Sequence, residues 1–353
     1  MIKTMQFPLI HGNDFASVIV IDEWLIKGVM PKADVGMIFG ESGSGKSFLA
    51  LDMAMSIAQG VSWRDCNVTK GSVAYLVAEG TQGFRKRLKA YAKKNKVKLA
   101  DIPFYVIDEC PNFLGKSDDD QKIINNIHNH NAVNPNEKIK VLFIDTFAMV
   151  TSGANENSSD DMGAVIGRCK RIALQTGAMV VLIHHSGKDA TKGARGWSGV
   201  KGAMDFEIEI TRKDDLRTAK LSKMKDGEDG EMFGFTLEIV VLEENEFGVP
   251  EVTSCVIAPS EIPDVKRSPK GDVQKTVFKE IERLNVIVGG LPISEQRLID
   301  SLMMILPVKE GVGRDRRKET VKEAIKGLVN GSFITIKDDL IDLHPNIQKC
   351  QKH

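Results

Sequence analysis

Apolar residues in the first two-thirds of the chain fall in short runs separated by longer amphipathic stretches. The runs are nearly continuous, which is typical of strands buried on both faces of a parallel sheet. They lie at Val35–Phe39, Val73–Val77, Phe104–Ile107, Val141–Ile144, Met179–Ile183 and Phe206–Ile210. Helices are predicted between them, at Ser47–Gln59, Gly83–Ala92 and Met162–Gln175. The alternation predicts an open α/β sheet from residue 35 to residue 245.

Two later apolar segments predict a hairpin and the end of this domain. Thr218–Ser222 and Phe233–Val241 flank the turn-forming sequence Asp226–Gly230, so we expect them to pair antiparallel. Residues 257–272 are rich in proline and polar residues, which predicts a linker. The expected organisation is therefore a large α/β domain at 1–256, a linker at 257–272 and a smaller domain at 273–353.

The smaller domain shows three helical segments followed by a hairpin. The segments begin near Val273, at Ser294 (a suitable N-cap) and at Arg316, and the hairpin strands are Phe333–Ile336 and Leu340–Leu343. This order is typical of a winged helix. Basic residues gather at the start of the third helix, which often enters the major groove of DNA: Arg314, Arg316, Arg317 and Lys318. Such domains also bind proteins, so both functions stay open for this one.

Composition narrows the class of protein only a little. Lys+Arg and Asp+Glu both number 48, so overall charge gives no indication of a nucleic-acid partner, and any such binding must use local patches. The five cysteines are far apart and predict neither a zinc site nor disulfides. No apolar leader or membrane-length run is present in the sequence, so we expect a cytoplasmic protein without a membrane partner.

The strongest chemical signal is a phosphate-binding loop. Its eight positions match the Walker A pattern in full: Gly40, Glu41, Ser42, Gly43, Ser44, Gly45, Lys46 and Ser47. The loop follows a predicted strand and opens a predicted helix, so backbone N–H groups and the helix N-terminus would surround phosphate oxygens. Lys46 is expected to contact the β- and γ-phosphates of ATP, and Ser47 to ligate Mg²⁺.

Two further carboxylates follow buried strands. The strand Val141–Ile144 leads into Asp145, which is the Walker B pattern and predicts a second group that holds Mg²⁺. The strand between the two Walker motifs leads into Glu79, which is placed to act as general base on the attacking water.

These motifs resemble the RecA-like ATPases and, within them, the hexameric replicative helicases of the DnaB and RepA type, over roughly residues 20–245. In RecA-like folds the catalytic glutamate ends the strand after the P-loop helix, and Glu79 has that position. In AAA+ proteins the glutamate lies in Walker B itself, whereas here Thr146 follows Asp145. The segment Glu23–Gly28 is similar to the entry segment of the RepA-like group. The resemblance implies a RecA-like P-loop core within the broad AAA ATPase class.

The resemblance also assigns the strand that ends in His184 and His185. One of them, with His185 favoured, would sense the γ-phosphate and report hydrolysis to the loop that follows. That loop is glycine-rich and basic, and in the family it faces a central channel that holds single-stranded DNA. The residues expected to contact DNA phosphates are Lys188, Lys192 and Arg195.

A third implied element is a cation supplied to the neighbouring subunit. Lys223-Met224-Lys225-Asp226-Gly227 is similar to the Lys-x-Arg-x-Gly element that hexameric helicases insert into the next ATP site. Here Lys225 replaces the arginine, so the bidentate fork is lost, and Lys223 is a candidate to share the role.

The resulting hypothesis is an ATP-dependent DNA helicase or translocase in replication, forming a homo-oligomeric ring, expected to be a hexamer. Other replication proteins are possible partners, and a bacterial, phage or plasmid origin would fit. Two alternatives stay open: a RecA-like recombination or repair ATPase that coats DNA, and an ATP-switched DNA-binding loader or regulator without unwinding activity.

Overall fold

The computed structural model describes residues 10–17, 23–186, 199–262, 269, 271–307, 315–330, 333–337 and 339–343. The chain divides into two compact units, residues 1–263 and residues 264–353.

The first unit alternates strands and helices as the apolar pattern predicts. In chain order its elements are α1 (Gly12–Ala16), β1 (Trp24–Ile26), β2 (Met30–Pro31), β3 (Val35–Gly40), α2 (Lys46–Gln59), β4 (Ser72–Val77), α3 (Thr81–Asn95), β5 (Phe104–Ile107), α4 (Asp119–Val133), β6 (Ile139–Asp145), α5 (Phe147–Val150), α6 (Ser159–Thr176), β7 (Met179–His185), α7 (Gly199–Ala203), β8 (Phe206–Lys213), β9 (Leu216–Met224), β10 (Met232–Glu244) and β11 (Pro250–Ser260).

Nine of its described strands form one sheet in the order β11-β10-β9-β8-β3-β7-β6-β4-β5, and β1 and β2 form a separate antiparallel pair. The six strands from β8 to β5 run parallel, while β9, β10 and β11 add antiparallel pairs at one side. The hairpin predicted around Asp226–Gly230 is present between β9 and β10. The predicted α/β fold class is confirmed by this parallel-dominated sheet with helices between its strands.

Helices cover both faces of the parallel strands, which is why the strand sequences are continuously apolar. On one face, Ile38, Tyr75 and Phe143 pack with residues of α2 and α3. On the other face, alternate residues of the same strands pack with residues of α4 and α6. Because parallel strands end at one edge, the residues after β3, β4, β6 and β7 meet there, and these are the residues that the motifs single out.

Several elements of the structure are absent from the predicted set, and two of them, α4 and β11, are long. Helix α4 was not predicted, and its buried face includes Ile123, Ile124 and Ile127. Strand β11 was not predicted either, and it reaches Ser260, where it pairs with Gly234 of β10. The predicted linker at 257–272 is therefore wrong in its first four residues, because the edge of the sheet extends the pairing through the proline-containing segment.

The second unit contains α8 (Asp272–Ile287), β12 (Ile293–Ser294), α9 (Glu295–Ile305), α10 (Arg317–Asn330), β13 (Ile334–Lys337) and β14 (Leu340–Leu343). Its strands form an antiparallel sheet in the order β12-β14-β13, and the unit has its own apolar core. The Ser294 hydroxyl caps α9 by accepting the Arg297 N–H, as predicted. The winged-helix assignment stays a prediction.

None of the described helices is both long enough and apolar enough to cross a membrane.

Candidate nucleotide-binding site

The P-loop connects β3 to α2 in the geometry that phosphate binding requires. Gly43 and Gly45 have positive φ angles of 74° and 99°, which favour glycine over other residues. A side chain at Gly40 would place its Cβ 2.3 Å from the Ile210 carbonyl oxygen. Gly45 caps α2 without a side-chain hydrogen bond, so the first-turn N–H groups of α2 are left to bind an anion.

Lys46 places a cation inside this loop. Its Nζ donates hydrogen bonds to the carbonyl oxygens of Gly40 (3.0 Å) and Glu41 (2.7 Å), and it lies 3.4 Å from Nδ1 of His185. Burial lowers the pKa of Lys46 to about 8, and Asp145 and Glu41 oppose the shift. The negative charge of a polyphosphate would offset the free-energy cost of desolvating this ammonium group, so Lys46 is well suited to bind an anion.

Asp145 ends β6 and is 5% exposed. Its Oδ2 accepts a 2.9 Å hydrogen bond from the Tyr75 hydroxyl. Burial raises the pKa of Asp145, while hydrogen bonds from Ser47 and Tyr75 act in the opposite direction. The peptide bond from Asp145 to Thr146 is cis. Ser47 and Asp145 thus lie in contact, and their oxygens are the ligand type that Mg²⁺ prefers, so these residues fit the expected metal.

Glu79 lies two residues after the last residue of β4, and it is near Asp145 because a backbone hydrogen bond connects the ends of β4 and β6. The Ala78 N–H donates to the Asp145 carbonyl oxygen at 2.8 Å. The Glu79 Oε1 accepts a 2.9 Å hydrogen bond from the Thr146 hydroxyl. Glu79 itself is exposed, so it can reach a water molecule as well as Thr146.

These groups line one cavity of about 310 Å³. The residues around it are Ser42, Gly43, Gly45, Lys46, Ser47, Phe48, Glu79, Gly80, Arg87, Asp145, Thr146 and His185. The structure therefore brings together the Walker A residues, both predicted carboxylates and the favoured histidine at one edge of the sheet.

Arg87 is a cavity residue that the sequence did not single out. It lies on α3, and its guanidinium carbon is 4.7 Å from the centre of the Phe48 ring. It also acts electrostatically on Asp145. The sequence signal is hidden among neighbouring cations, since Arg85, Lys86 and Lys89 lie on the same helix. Tyr75, within β4, was missed for a similar reason, because an aromatic residue in an apolar run normally belongs to the core.

The two histidines at the end of β7 have different surroundings. His184 is 1% exposed, and its ring packs edge-on against Phe147 at 5.2 Å between centroids. His185 lines the cavity near Lys46. The geometry therefore favours His185 as the sensor candidate.

Lys223 and Lys225 lie at the opposite edge of the sheet. Lys225 follows β9, and its backbone N–H donates to the Asp205 carbonyl oxygen at 2.8 Å. Its Nζ is 3.4 Å from Oδ1 of Asp205, and its side chain is 63% exposed. Oδ2 of Asp205 accepts the Val35 N–H at the start of β3. Lys225 is thus an exposed cation near the beginning of the strand whose end carries the P-loop.

Lys223 is held differently from Lys225. Its Nζ donates to the carbonyl oxygens of Lys201 (2.6 Å), Gly202 and Met204, at the end of α7. A role for Lys223 in another subunit would require breaking these bonds, so the structure favours Lys225 of the two.

The predicted DNA-binding residues Lys188, Lys192 and Arg195 lie outside the described residues. In the second unit, Arg314 also lies outside them. Arg317 binds Asp315 and donates to the carbonyl oxygens of Met303 and Leu306. This part of the basic cluster therefore anchors the start of α10.

Comparison with known proteins adds a family. The family model AAA_25, described as an AAA domain, matches residues 5–191, more than half of the chain. Among solved structures, the ATPase domain of G40P is 14% identical, with 58% of this chain and 81% of that chain covered and a TM-score of 0.45. A DnaB-like replicative helicase, solved to study its interactions with primase, is 14% identical, with 63% of this chain and 57% of that chain covered and a TM-score of 0.46. Given the family match and the P-loop geometry, the chain belongs to the AAA domain family and is a P-loop ATPase.

Proposed function

We propose that this chain hydrolyses ATP at interfaces between copies of itself and uses the energy to move along single-stranded DNA as a replicative helicase. The observation that carries the proposal is the separation of the catalytic groups. Lys46, Glu79 and Asp145 line one edge of the sheet, and the exposed Lys225 lies at the other.

Within one subunit, each cavity group has a distinct task in hydrolysis. Lys46 and the first N–H groups of α2 bind the phosphates of ATP. Glu79 accepts a proton from the attacking water, and His185 contacts the γ-phosphate side of the site. Ser47 and Asp145 would hold Mg²⁺, which neutralises charge on the phosphates when bound.

The position of Lys225 supports a shared site. The beginning and the end of β3 are roughly 16 Å apart at about 3.3 Å per residue. Lys225 is tied through Asp205 to the beginning, whereas the P-loop follows the end. A cation at that distance cannot contact a nucleotide in its own subunit, but in a ring it can contact the nucleotide of a neighbour.

The AAA domain family supports an ATPase, and the role in replication follows from the resemblance of the motifs to replicative helicases. A recombination ATPase and an ATP-switched loader use the same hydrolytic groups. They differ from a helicase in what hydrolysis does to a DNA duplex, so the distinction has to be made on DNA.

The test uses a forked duplex with a fluorescent strand, incubated with the purified protein and ATP. We expect strand displacement with ATP, none with a non-hydrolysable analogue, and none with the Lys46→Ala variant. ATP hydrolysis without displacement, on forks of either polarity, would contradict the helicase function. Tight binding to one DNA sequence under the same conditions would then favour the loader or regulator.

A further inference from the structure

We propose that Tyr75 is a positioning residue for the carboxylate of Asp145, which is expected to hold Mg²⁺, and this inference rests on the proposed nucleotide site. The Tyr75 hydroxyl donates a 2.9 Å hydrogen bond to Oδ2 of Asp145. Neither residue is exposed to more than 5%. Tyr75 is therefore enclosed by the protein, while Asp145 also lines the cavity.

Strand register explains why Tyr75 reaches this carboxylate. In the parallel pair β4 and β6, Tyr75 is opposite Phe143 and Val77 is opposite Asp145. Residues two apart on a strand point to the same face, so Tyr75, Phe143 and Asp145 share one face. Tyr75 is the diagonal neighbour of Asp145, a separation that a long aromatic side chain spans.

Packing alone does not account for the tyrosine hydroxyl. The ring lies among Phe84, Phe143 and Phe104, at centroid distances of 4.6, 5.5 and 6.0 Å. A phenylalanine would fill this space without burying a polar group, which costs free energy unless the group is hydrogen-bonded. The Tyr75 hydroxyl has the carboxylate of Asp145 as its acceptor, so the buried polar group is satisfied.

The hydrogen bond has a specific consequence for metal binding. With Oδ2 held by Tyr75, the carboxylate cannot rotate freely, and its remaining lone pairs point in a fixed direction beside Ser47. Removing a group that orients a metal ligand in this way typically lowers metal affinity or activity by about 10- to 100-fold. Loss of the Tyr75 hydroxyl should therefore lower the affinity for the metal without changing the affinity for the nucleotide.

The test compares Tyr75→Phe with Tyr91→Phe. Tyr91 is also buried, but its hydroxyl accepts a hydrogen bond from Gln59 outside the cavity, so this variant controls for loss of a buried hydroxyl. Mn²⁺ binding is measured by electron paramagnetic resonance with a non-hydrolysable ATP analogue present. Affinity for a fluorescent ATP analogue is measured separately in EDTA, and melting temperatures show whether each variant is folded.

We expect Tyr75→Phe to weaken Mn²⁺ binding by about tenfold, to leave analogue affinity in EDTA unchanged, and to raise the Mg²⁺ concentration that gives half-maximal hydrolysis. Tyr91→Phe should match the wild type in all three measurements.

Unchanged Mn²⁺ affinity in Tyr75→Phe would overturn the role of Tyr75 while leaving the nucleotide site intact. Failure of the wild type to bind Mn²⁺ with the analogue would overturn both. If Tyr75→Phe is unfolded, a fluorinated tyrosine at position 75 serves instead, because it keeps the ring and changes the strength of the hydrogen bond to Asp145; Mn²⁺ affinity equal to that of the wild type would overturn the proposal.

Discussion

Thr146 Oγ1 donates a 2.9 Å hydrogen bond to Oε1 of Glu79, the proposed general base. Thr146 is 6% exposed and directly follows Asp145. Asp145 is expected to hold Mg²⁺, and the next residue, Thr146, donates the hydrogen bond that orients Glu79. Asp145 and Thr146, consecutive residues at the end of β6, thus help to set the distance between the carboxylates of Asp145 and Glu79.

This relationship makes Thr146 a positioning residue for Glu79. Thr146→Val keeps the shape of the side chain but removes the hydroxyl, so we expect kcat to fall by about tenfold, the effect of misplacing a reacting group. Nucleotide affinity should change little, because the hydroxyl that is removed donates to Glu79 rather than to the P-loop. Thr146→Ser retains the hydroxyl and should keep most of the activity. Steady-state kinetics and analogue binding test this, and a Val variant as fast as the wild type would contradict it.

Arg87 is expected to stabilise phosphate charge within its own subunit. Arg87→Ala should reduce kcat/KM for ATP by about 10- to 100-fold, since a cation that faces developing phosphate charge contributes at this level. The matched control is Arg85→Ala on the same helix, because Arg85 binds Asp108 at the surface. Equal effects of the two substitutions would show that helix charge, rather than the location of Arg87, is responsible.

Lys225 is expected to act on a neighbouring subunit. Lys225→Ala should retain ATP binding but lose most hydrolysis. Mixing it with Lys46→Ala subunits should restore part of the activity, because some interfaces then combine an intact P-loop with an intact Lys225. Hydrolysis rates of mixtures at varied ratios measure this. Mixtures that never exceed the activity of the separate variants would rule out a shared site.

Lys223 is expected to stabilise the fold. Its Nζ donates to three carbonyl oxygens around the end of α7, so Lys223→Ala should lower the free energy of unfolding by about 1–3 kcal/mol. Lys220→Ala, an exposed position on the same strand, should have little effect. Chemical denaturation compares the two. An Lys223→Ala protein of normal stability that loses hydrolysis and regains part of it when mixed with Lys46→Ala subunits would instead assign Lys223 to the neighbouring site.

The parallel core and the Walker residues could be predicted because their signals are local. Continuous apolar runs follow from burial on both faces, and the P-loop pattern is fixed by backbone geometry at Gly43 and Gly45. The predicted strand ends at Asp145 and His185 agree with the structure.

The remaining features depend on contacts that are distant in sequence. Arg87 is one of several cations on α3, and only the packing of α3 beside Phe48 selects it. Thr146 and Tyr75 are unremarkable in sequence, and their roles follow from the register between β4 and β6. Strand β11 was missed because Pro259 and Ser260 are typical of a loop, whereas the edge of β10 offers them a partner.

The most direct measurement is ATP hydrolysis by the full chain over a range of protein concentrations, with and without single-stranded DNA, with Lys46→Ala as the baseline. Shared active sites predict turnover per subunit that rises steeply with concentration, and a DNA translocase predicts a further rise when single-stranded DNA is added. Turnover above the baseline that depends on neither concentration nor DNA would contradict an inter-subunit, DNA-coupled ATPase.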